Sequence, residues 1–290
     1  MRFPQDSRGA ARPGWHQLAR RCPWWALLCA AAHAQVDAPA LAVQARALST
    51  RYHAVERLNG SFPLNQDNGT LHGQGLGLTL RQAGWRGALT ADWQHGGLDY
   101  DGLTQLGLPL HTRSDLSQRD LALWAGPAAA WDWPVGWAQA ELGLSERRQI
   151  RRIRATAHSL PTDETLSRTL AGARLRWTTP LGSAAPNWQA QAQLGGHWPL
   201  AQRLAVDSFG VLDRYQLQPR ARGTVDLGLQ LAWQASPGSR WQLGWQVRQD
   251  RVGASDAQLV LRGGKPAGIA SYPGVSQLQR QWALQGELAF

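Results

Sequence analysis

The chain has 290 residues, a formal net charge of +10 and 17% charged residues, below the roughly 25% typical of soluble domains. No apolar run approaches the roughly 20 residues of a membrane-spanning helix, which argues against a helical membrane protein. Low charge without long apolar runs is typical of strands in which apolar and polar residues alternate.

Residues 1–34 are predicted to form a cleaved signal peptide. Arg20 and Arg21 belong to a basic region that precedes an apolar stretch, and Ala32-His33-Ala34 offers small residues at the spacing that signal peptidase accepts. Residues 35–290 would then be a single mature domain. A later start codon and an uncleaved anchor are the alternatives.

Both cysteines, Cys22 and Cys29, lie within the predicted signal peptide. The mature chain would therefore have no disulfide, no thiolate metal site and no cysteine nucleophile. Cleavage would remove five arginines and one aspartate, which lowers the formal charge from +10 to +6.

Period-two alternation recurs through the mature sequence and predicts β-strands, because successive side chains of a strand point to opposite faces. In one clear case Trp241, Leu243 and Trp245 share a face and Gln242, Gly244 and Gln246 share the other. Ten segments follow this pattern: 41–52, 72–83, 85–96, 117–125, 134–148, 166–178, 187–196, 222–235, 240–251 and 277–290.

The connections between these segments alternate between short and long. The predicted long loops are 53–71, 97–116, 149–165, 197–221 and 252–276. Long outer loops that alternate with tight periplasmic turns are the topology of outer-membrane barrels. The sequence therefore predicts an all-β fold, a membrane-spanning antiparallel up-and-down β-barrel of ten strands, with eight or twelve strands as the alternatives.

Tryptophans lie beside the short turns. Trp177 and Trp188 bracket one turn, and Trp233 and Trp241 bracket another. An indole has a large apolar ring and one N–H, so it favours the boundary between lipid and water. This placement predicts an aromatic girdle, while the alternative is that some tryptophans fill a soluble core.

The last strand ends in a terminal aromatic residue. Its apolar residues stand at alternate positions counted back from that residue: Trp282, Leu284, Leu288 and Phe290. This ending resembles the C-terminal signal of bacterial outer-membrane β-barrels, which the barrel-assembly machinery recognises. The resemblance implies export and insertion into the bacterial outer membrane.

Charged residues of both signs fall on the faces assigned to the barrel interior. They are Arg81, Arg86, Asp92, Glu141, Arg174, Arg176, Asp226, Arg248 and Glu287. Because unpaired buried charge is costly and the lumen of a small barrel is usually filled by side chains, we expect a cross-strand network of ion pairs. A charge-selective pore is the alternative.

Ten strands and this length resemble the omptins, surface proteases that pair an Asp-x-Asp on one outer loop with an Asp-x-His on another. Asp99 and Asp101 lie in the second long loop, where this resemblance implies the first pair. No Asp-x-His occurs in residues 35–290. A carboxylate–histidine couple is needed to activate water, so Asp99 and Asp101 are only half of such a site.

Two histidines are further catalytic candidates. His158 precedes Ser159 in the third long loop, and His197 opens the fourth. Adjacent residues on a loop do not present a base to a hydroxyl without a third orienting group. The histidines show no recurring close spacing of the kind metal sites use, and the sequence predicts neither a metal nor a cofactor.

Five arginines are concentrated near the third long loop: Arg147, Arg148, Arg151, Arg152 and Arg154. Guanidinium forks match phosphate oxygens, so this run predicts contact with lipopolysaccharide in the outer leaflet. A solvated loop without a partner is the alternative. Nucleic acid is an improbable partner for an exported chain whose basic run has no interleaved aromatic residues.

The sequence thus predicts an integral outer-membrane barrel with a structural, adhesive or surface-binding role and no recognisable catalytic constellation. A surface hydrolase of the omptin kind is one alternative. A narrow channel or transporter is the other. The sequence carries no signal for an oligomeric state.

Deletion of Phe290 is expected to lower the yield of barrel in outer membranes while changing the free energy of unfolding of the finished barrel little. The terminal aromatic residue contributes one side chain to a long strand seam but belongs to the assembly signal. Quantitative blotting of outer-membrane fractions measures the yield, and the full-length chain is the control. An unchanged yield would show that the C-terminal residues of this chain do not act as an assembly signal.

Overall fold

A computed structural model describes residues 40–58, 62–103, 108–128, 131–133, 135–157 and 159–290. The predicted signal peptide lies outside these residues and stays a prediction. The strands are β1 (Ala40–Leu58), β2 (Phe62–Gln82), β3 (Trp85–Leu103), β4 (Pro109–Pro127), β5 (Trp131–Trp133), β6 (Gly136–Ile153), β7 (Thr162–Pro180), β8 (Trp188–Asp207), β9 (Tyr215–Leu217), β10 (Thr224–Ser236), β11 (Ser239–Val252), β12 (Gln258–Arg262), β13 (Lys265–Ala270) and β14 (Gly274–Ala289).

Ten long strands form a closed antiparallel barrel, as predicted. Around the barrel they follow the order β1, β2, β3, β4, β6, β7, β8, β10, β11 and β14, and β14 pairs with β1 to close the sheet. The short strands β5 and β9 pair with β6 and β8, and β12 and β13 form a separate hairpin. No helix in the described part of the chain is long and apolar enough to span a membrane.

One end of the barrel, here called the turn end, carries the short connections. Between β2 and β3, Ala83 and Gly84 have φ of 48° and 78°, which matches the two-residue hairpin turns that follow the twist of the strands. Trp188 and Trp233 are cross-strand partners that stack with ring centroids 6.3 Å apart. The tryptophans predicted beside the turns are therefore exposed on the outer face of this end.

The exterior of the turn-end half is apolar. Leucines on every long strand face outward in this band. The predicted set confirmed as outward-facing is Leu227, Leu229, Leu231, Leu243, Trp245, Leu284 and Leu288. Trp282 on β14 and Phe290, which follows β14, share that face, and Phe290 is 78% exposed. The Phe290 N–H donates to the Leu41 carbonyl at 2.8 Å, which ties the C-terminus to the first strand.

The strands continue past this band at the opposite end, here called the loop end. Residues 53–71, predicted as a long loop, are almost entirely strand, and much of 97–116 and 149–165 is strand as well. The prediction was wrong because the outer face there is polar, so apolar residues no longer alternate outward. The period-two geometry persists with its polarity reversed, with polar residues outside and apolar residues inside.

The reversed polarity fills the loop-end interior with apolar side chains. Twelve buried residues form one cluster, here called the plug: Tyr52, Ala54, Leu71, Leu98, Leu116, Leu166, Leu204, Val206, Leu217, Val252, Tyr272 and Val275. Leu71 and Leu170 are completely buried within the barrel. The lumen is thus closed toward the loop end by packed side chains of the barrel wall and of the segments that follow β8 and β13.

Leu229→Arg is expected to lower the free energy of unfolding by about 2 to 4 kcal/mol, because it puts a charge at the middle of the exterior apolar band. Gln230→Arg should cost less, because Gln230 faces a polar cavity inside the barrel. Denaturant titration of the barrel in lipid vesicles measures both variants. Equal losses would contradict the assignment of faces.

Candidate functional site

Buried ion pairs fill the middle of the barrel. Asp250 is fully buried and accepts hydrogen bonds from Arg147 at 2.6 Å, Arg168 at 2.5 Å and Thr224 at 2.7 Å. Arg147 also donates to Asp120 at 2.7 Å. These contacts join β4, β6, β7, β10 and β11 across the lumen, so each carboxylate is neutralised by arginines from other strands.

A second group of charges lies nearer the turn end. Glu141 on β6 is buried and contacts Arg86, Arg174 and Arg176, and the Arg176 contact is the longest, at 3.5 Å. The Arg174 guanidinium also lies over the Trp124 ring, 4.1 Å from its centroid. One carboxylate thus serves three guanidinium groups.

Two aspartates complete the interior network. Asp92 pairs with Arg46 at 2.8 Å, and Asp226 contacts His197 Nε2 at 2.9 Å. Glycine stands directly across the sheet from each aspartate, and a Cβ there would lie 1.9 Å from Asp92 Oδ1 at Gly75 and 2.5 Å from Asp226 Oδ2 at Gly195. The absence of a side chain at these positions lets each carboxylate fold over the neighbouring backbone.

All nine charged residues predicted to face inward do so, and all of them except Arg81 and Glu287 take part in the expected interior network. All of them except Glu141 border a polar cavity of about 680 Å³ in the turn-end half of the barrel. Turn residues such as Pro237 and Gly238 line its mouth, and the plug lies beyond its inner end. The cavity therefore opens at the turn end.

His197, predicted as a catalytic candidate on a loop, is instead an interior residue of β8. Its Nδ1 is buried without a hydrogen-bond partner among the described residues, and its ring meets Trp124 edge-on at 5.5 Å. Asp226 thus holds the His197 imidazole inside the barrel. The histidine is enclosed by the barrel wall, away from the outer surface on which the sequence placed it.

Asp99 and Asp101 lie on the outer face of β3 at the loop end, while Tyr100 between them points inward. Asp101 hydrogen-bonds His111, its cross-strand partner on β4, and both side chains are more than half exposed. Asp99 is 4.0 Å from Arg113. The sequence missed the Asp101–His111 couple because it arises only from the β3–β4 register.

The five clustered arginines divide between the two faces of β6 and its extension, so the predicted common loop surface was wrong. Arg147 and Arg151 point into the barrel, where Arg151 contacts Asp67 at 2.6 Å, Glu164 at 2.7 Å and Glu56. Arg148, Arg152 and Arg154 point outward. Period-two geometry separates odd from even positions, so residues adjacent in sequence lie on opposite faces.

Two of the outward arginines have acidic partners. Arg152 forms a two-point contact with Asp163 at 2.9 Å, and Arg154 forms one with Asp115 at 2.7 and 2.9 Å. Arg148 has no ion pair within the described residues. Of the predicted glycolipid contacts, Arg148 is therefore the one whose charge is both exposed and uncompensated.

The remaining candidates add little chemistry. His158 lies outside the described residues, and its neighbour Ser159 shares a hydrogen bond of 2.9 Å with Thr156. No group of three or more histidine, cysteine, aspartate or glutamate residues suited to a metal ion occurs in the part of the chain that the structure describes.

A closed ten-stranded barrel with an apolar exterior band, aromatic residues beside its turns and charges inside is a transmembrane β-barrel of the outer-membrane type. No protein-family model matches the chain, and no curated protein is similar enough in sequence to count as a relative.

A solved structure shows the same fold. The outer-membrane protease OmpT from Escherichia coli aligns with a TM-score of 0.62 and 8% identity over 90% of this chain and 100% of that one. The transport unit of the autotransporter AIDA-I, also from Escherichia coli, gives a TM-score of 0.46 and 10% identity over 89% of this chain and 92% of that one. At 8% identity the likeness to OmpT shows a shared barrel architecture and nothing of its activity.

Asp250→Ala is expected to cost about 3 to 5 kcal/mol of unfolding free energy, because it leaves the buried Arg168 without its carboxylate. Asp115→Ala, which removes an exposed partner of Arg154, should change stability little. Denaturant unfolding of both variants in the same detergent makes the comparison. Similar losses in the two variants would mean that the interior network does not hold the barrel together.

Proposed function

We propose that this protein resides in the bacterial outer membrane as a sealed barrel and binds anionic glycolipid on its outer surface, a surface-binding role. The observation that carries this proposal is a set of exposed arginines just beyond the exterior apolar band at the loop end. This set, here called the outer arginine belt, consists of Arg51, Arg119, Arg148, Arg203 and Arg280.

The belt contains two pairs of arginines that face each other directly across the sheet. Arg51 is the cross-strand partner of Arg280, and Arg119 is the partner of Arg148. Like charges directly opposite one another destabilise a sheet. Neither pair has an ion-pair partner within the described residues, so an external anion placed between the guanidinium groups would relieve the repulsion.

The height of the belt fits phosphate groups at the edge of the hydrocarbon. Arg119 lies two residues beyond the outward Leu121, a distance of about 7 Å along the strand. On β14, Arg280 likewise lies two residues from the outward Trp282, on its loop-end side. Guanidinium groups at this level would meet the phosphorylated headgroups of lipopolysaccharide if the loop end faces outside the cell.

A sealed lumen supports a binding role over transport. The plug fills the loop-end half of the barrel, and buried ion pairs cross its middle. A narrow channel would need both layers to move. Insertion through the barrel-assembly machinery and cleavage after Ala34 belong to the same proposal, since an outer-membrane barrel must be exported before it is assembled.

The double variant Arg119→Gln/Arg148→Gln is expected to weaken binding of purified lipopolysaccharide by on the order of tenfold at low salt. Each charge near an anionic surface contributes about 1 kcal/mol, and salt should shrink the difference. Binding is measured on the folded barrel in uncharged detergent by titration calorimetry.

Arg262→Gln/Lys265→Gln is the charge-matched control, because it removes two exposed charges from the tip of the β12–β13 hairpin. An equal loss of binding in this control would show that the effect depends only on the net charge of the protein. Unchanged binding in the Arg119/Arg148 variant would refute the proposed role of the belt.

A further inference from the structure

The cavity at the turn end carries an excess of positive charge. Eight arginines line it, against four carboxylates. Glu141, which contacts three of those arginines from beneath, adds a fifth carboxylate. Three arginine charges therefore have no protein countercharge, and an uncompensated charge inside a barrel wall is costly.

The excess is concentrated around Glu141 and is held in a fixed arrangement. Arg86 is buried, with 7% of its side chain exposed, and its Nε has no partner among the described residues. Arg174 is oriented by its stacking on Trp124. Arg176 reaches Glu141 only at 3.5 Å, which leaves most of its donors free to meet a ligand.

Two further arginines lie at the mouth of the same cavity. Arg240 donates to the Gln189 side chain at 3.0 Å, and neither Arg240 nor Arg81 has an ion pair within the described residues. Glu287, the carboxylate that stands across the sheet from Arg240, accepts a hydrogen bond from Gln44 at 2.6 Å. No ion pair joins Glu287 to Arg240 within the described residues.

We propose that these five residues, Arg81, Arg86, Arg174, Arg176 and Arg240, bind a small multivalent oxyanion that carries phosphate and enters from the turn end. This inference goes beyond the proposed function, because it concerns the opposite end of the barrel and its interior. Planar guanidinium forks suit phosphate oxygens, and multiple forks suit a ligand with more than one negative charge.

The size and closure of the cavity agree with such a ligand. About 680 Å³ lies within the roughly 300 to 1,000 Å³ of small-molecule sites. The plug closes the inner end, so a bound anion would leave through the turn-end opening by which it entered. The structure therefore assigns this cavity to binding and not to passage.

The experiment uses inorganic pyrophosphate as the probe and the folded full-length barrel in uncharged detergent. Titration calorimetry of the unaltered protein at low ionic strength should give saturable binding with one site. Arg176→Gln and Arg240→Gln should each weaken it at least tenfold. Arg176→Lys should recover only part of the loss, because an ammonium group keeps the charge without the fork.

The exterior variant Arg262→Gln/Lys265→Gln, which removes two charges that belong to neither proposed site, is the matched control and should bind pyrophosphate as the unaltered protein does. A second readout is the rise in unfolding temperature that pyrophosphate causes, which should vanish in Arg176→Gln even where that variant is as stable as the unaltered barrel without ligand. Absent saturation, or an equal loss in the exterior control, would overturn the inference. Either result would leave the glycolipid proposal to its own test, since that proposal concerns other residues.

Discussion

The structure depends on the closure of its hydrogen-bonded ladder. Inside a bilayer no water is present to satisfy backbone N–H and C=O groups, so a sheet that spans it can have no free edge. Pairing of β14 with β1, and of β8 with β10, removes both edges. Once the ladder is closed, the inward or outward direction of every side chain follows from its position along the strand.

That fixed direction explains how the outer face of one strand can contact lipid in one half and water in the other. On β1 the outward Leu41 and Val43 lie in the apolar band, whereas the inward Tyr52 and Ala54 belong to the plug. The backbone register does not change between them, but the side that faces water does. The turn-end half is apolar outside and polar inside. The loop-end half is polar outside and apolar inside, as a soluble barrel is.

This inversion decides what could be predicted from sequence. Ten strands and nine inward charges were found because alternation in the turn-end half has the polarity expected in lipid. The same criterion failed at the loop end, where Arg151 and Arg152 were assigned to one loop although strand geometry sends them to opposite faces. The Asp101–His111 couple needs the register between β3 and β4, which no single-strand pattern contains.

The interior charges also explain why the cavity lies where it does. In the middle of the barrel each carboxylate meets arginines from several strands, and at Gly75 and Gly195 the missing side chains make room for Asp92 and Asp226. Nearer the turns Glu141 must serve three arginines, and their mutual repulsion opposes close packing of the guanidinium groups. Ion pairing can therefore fill the centre of the barrel, whereas an excess of one charge opposes filling of the turn end.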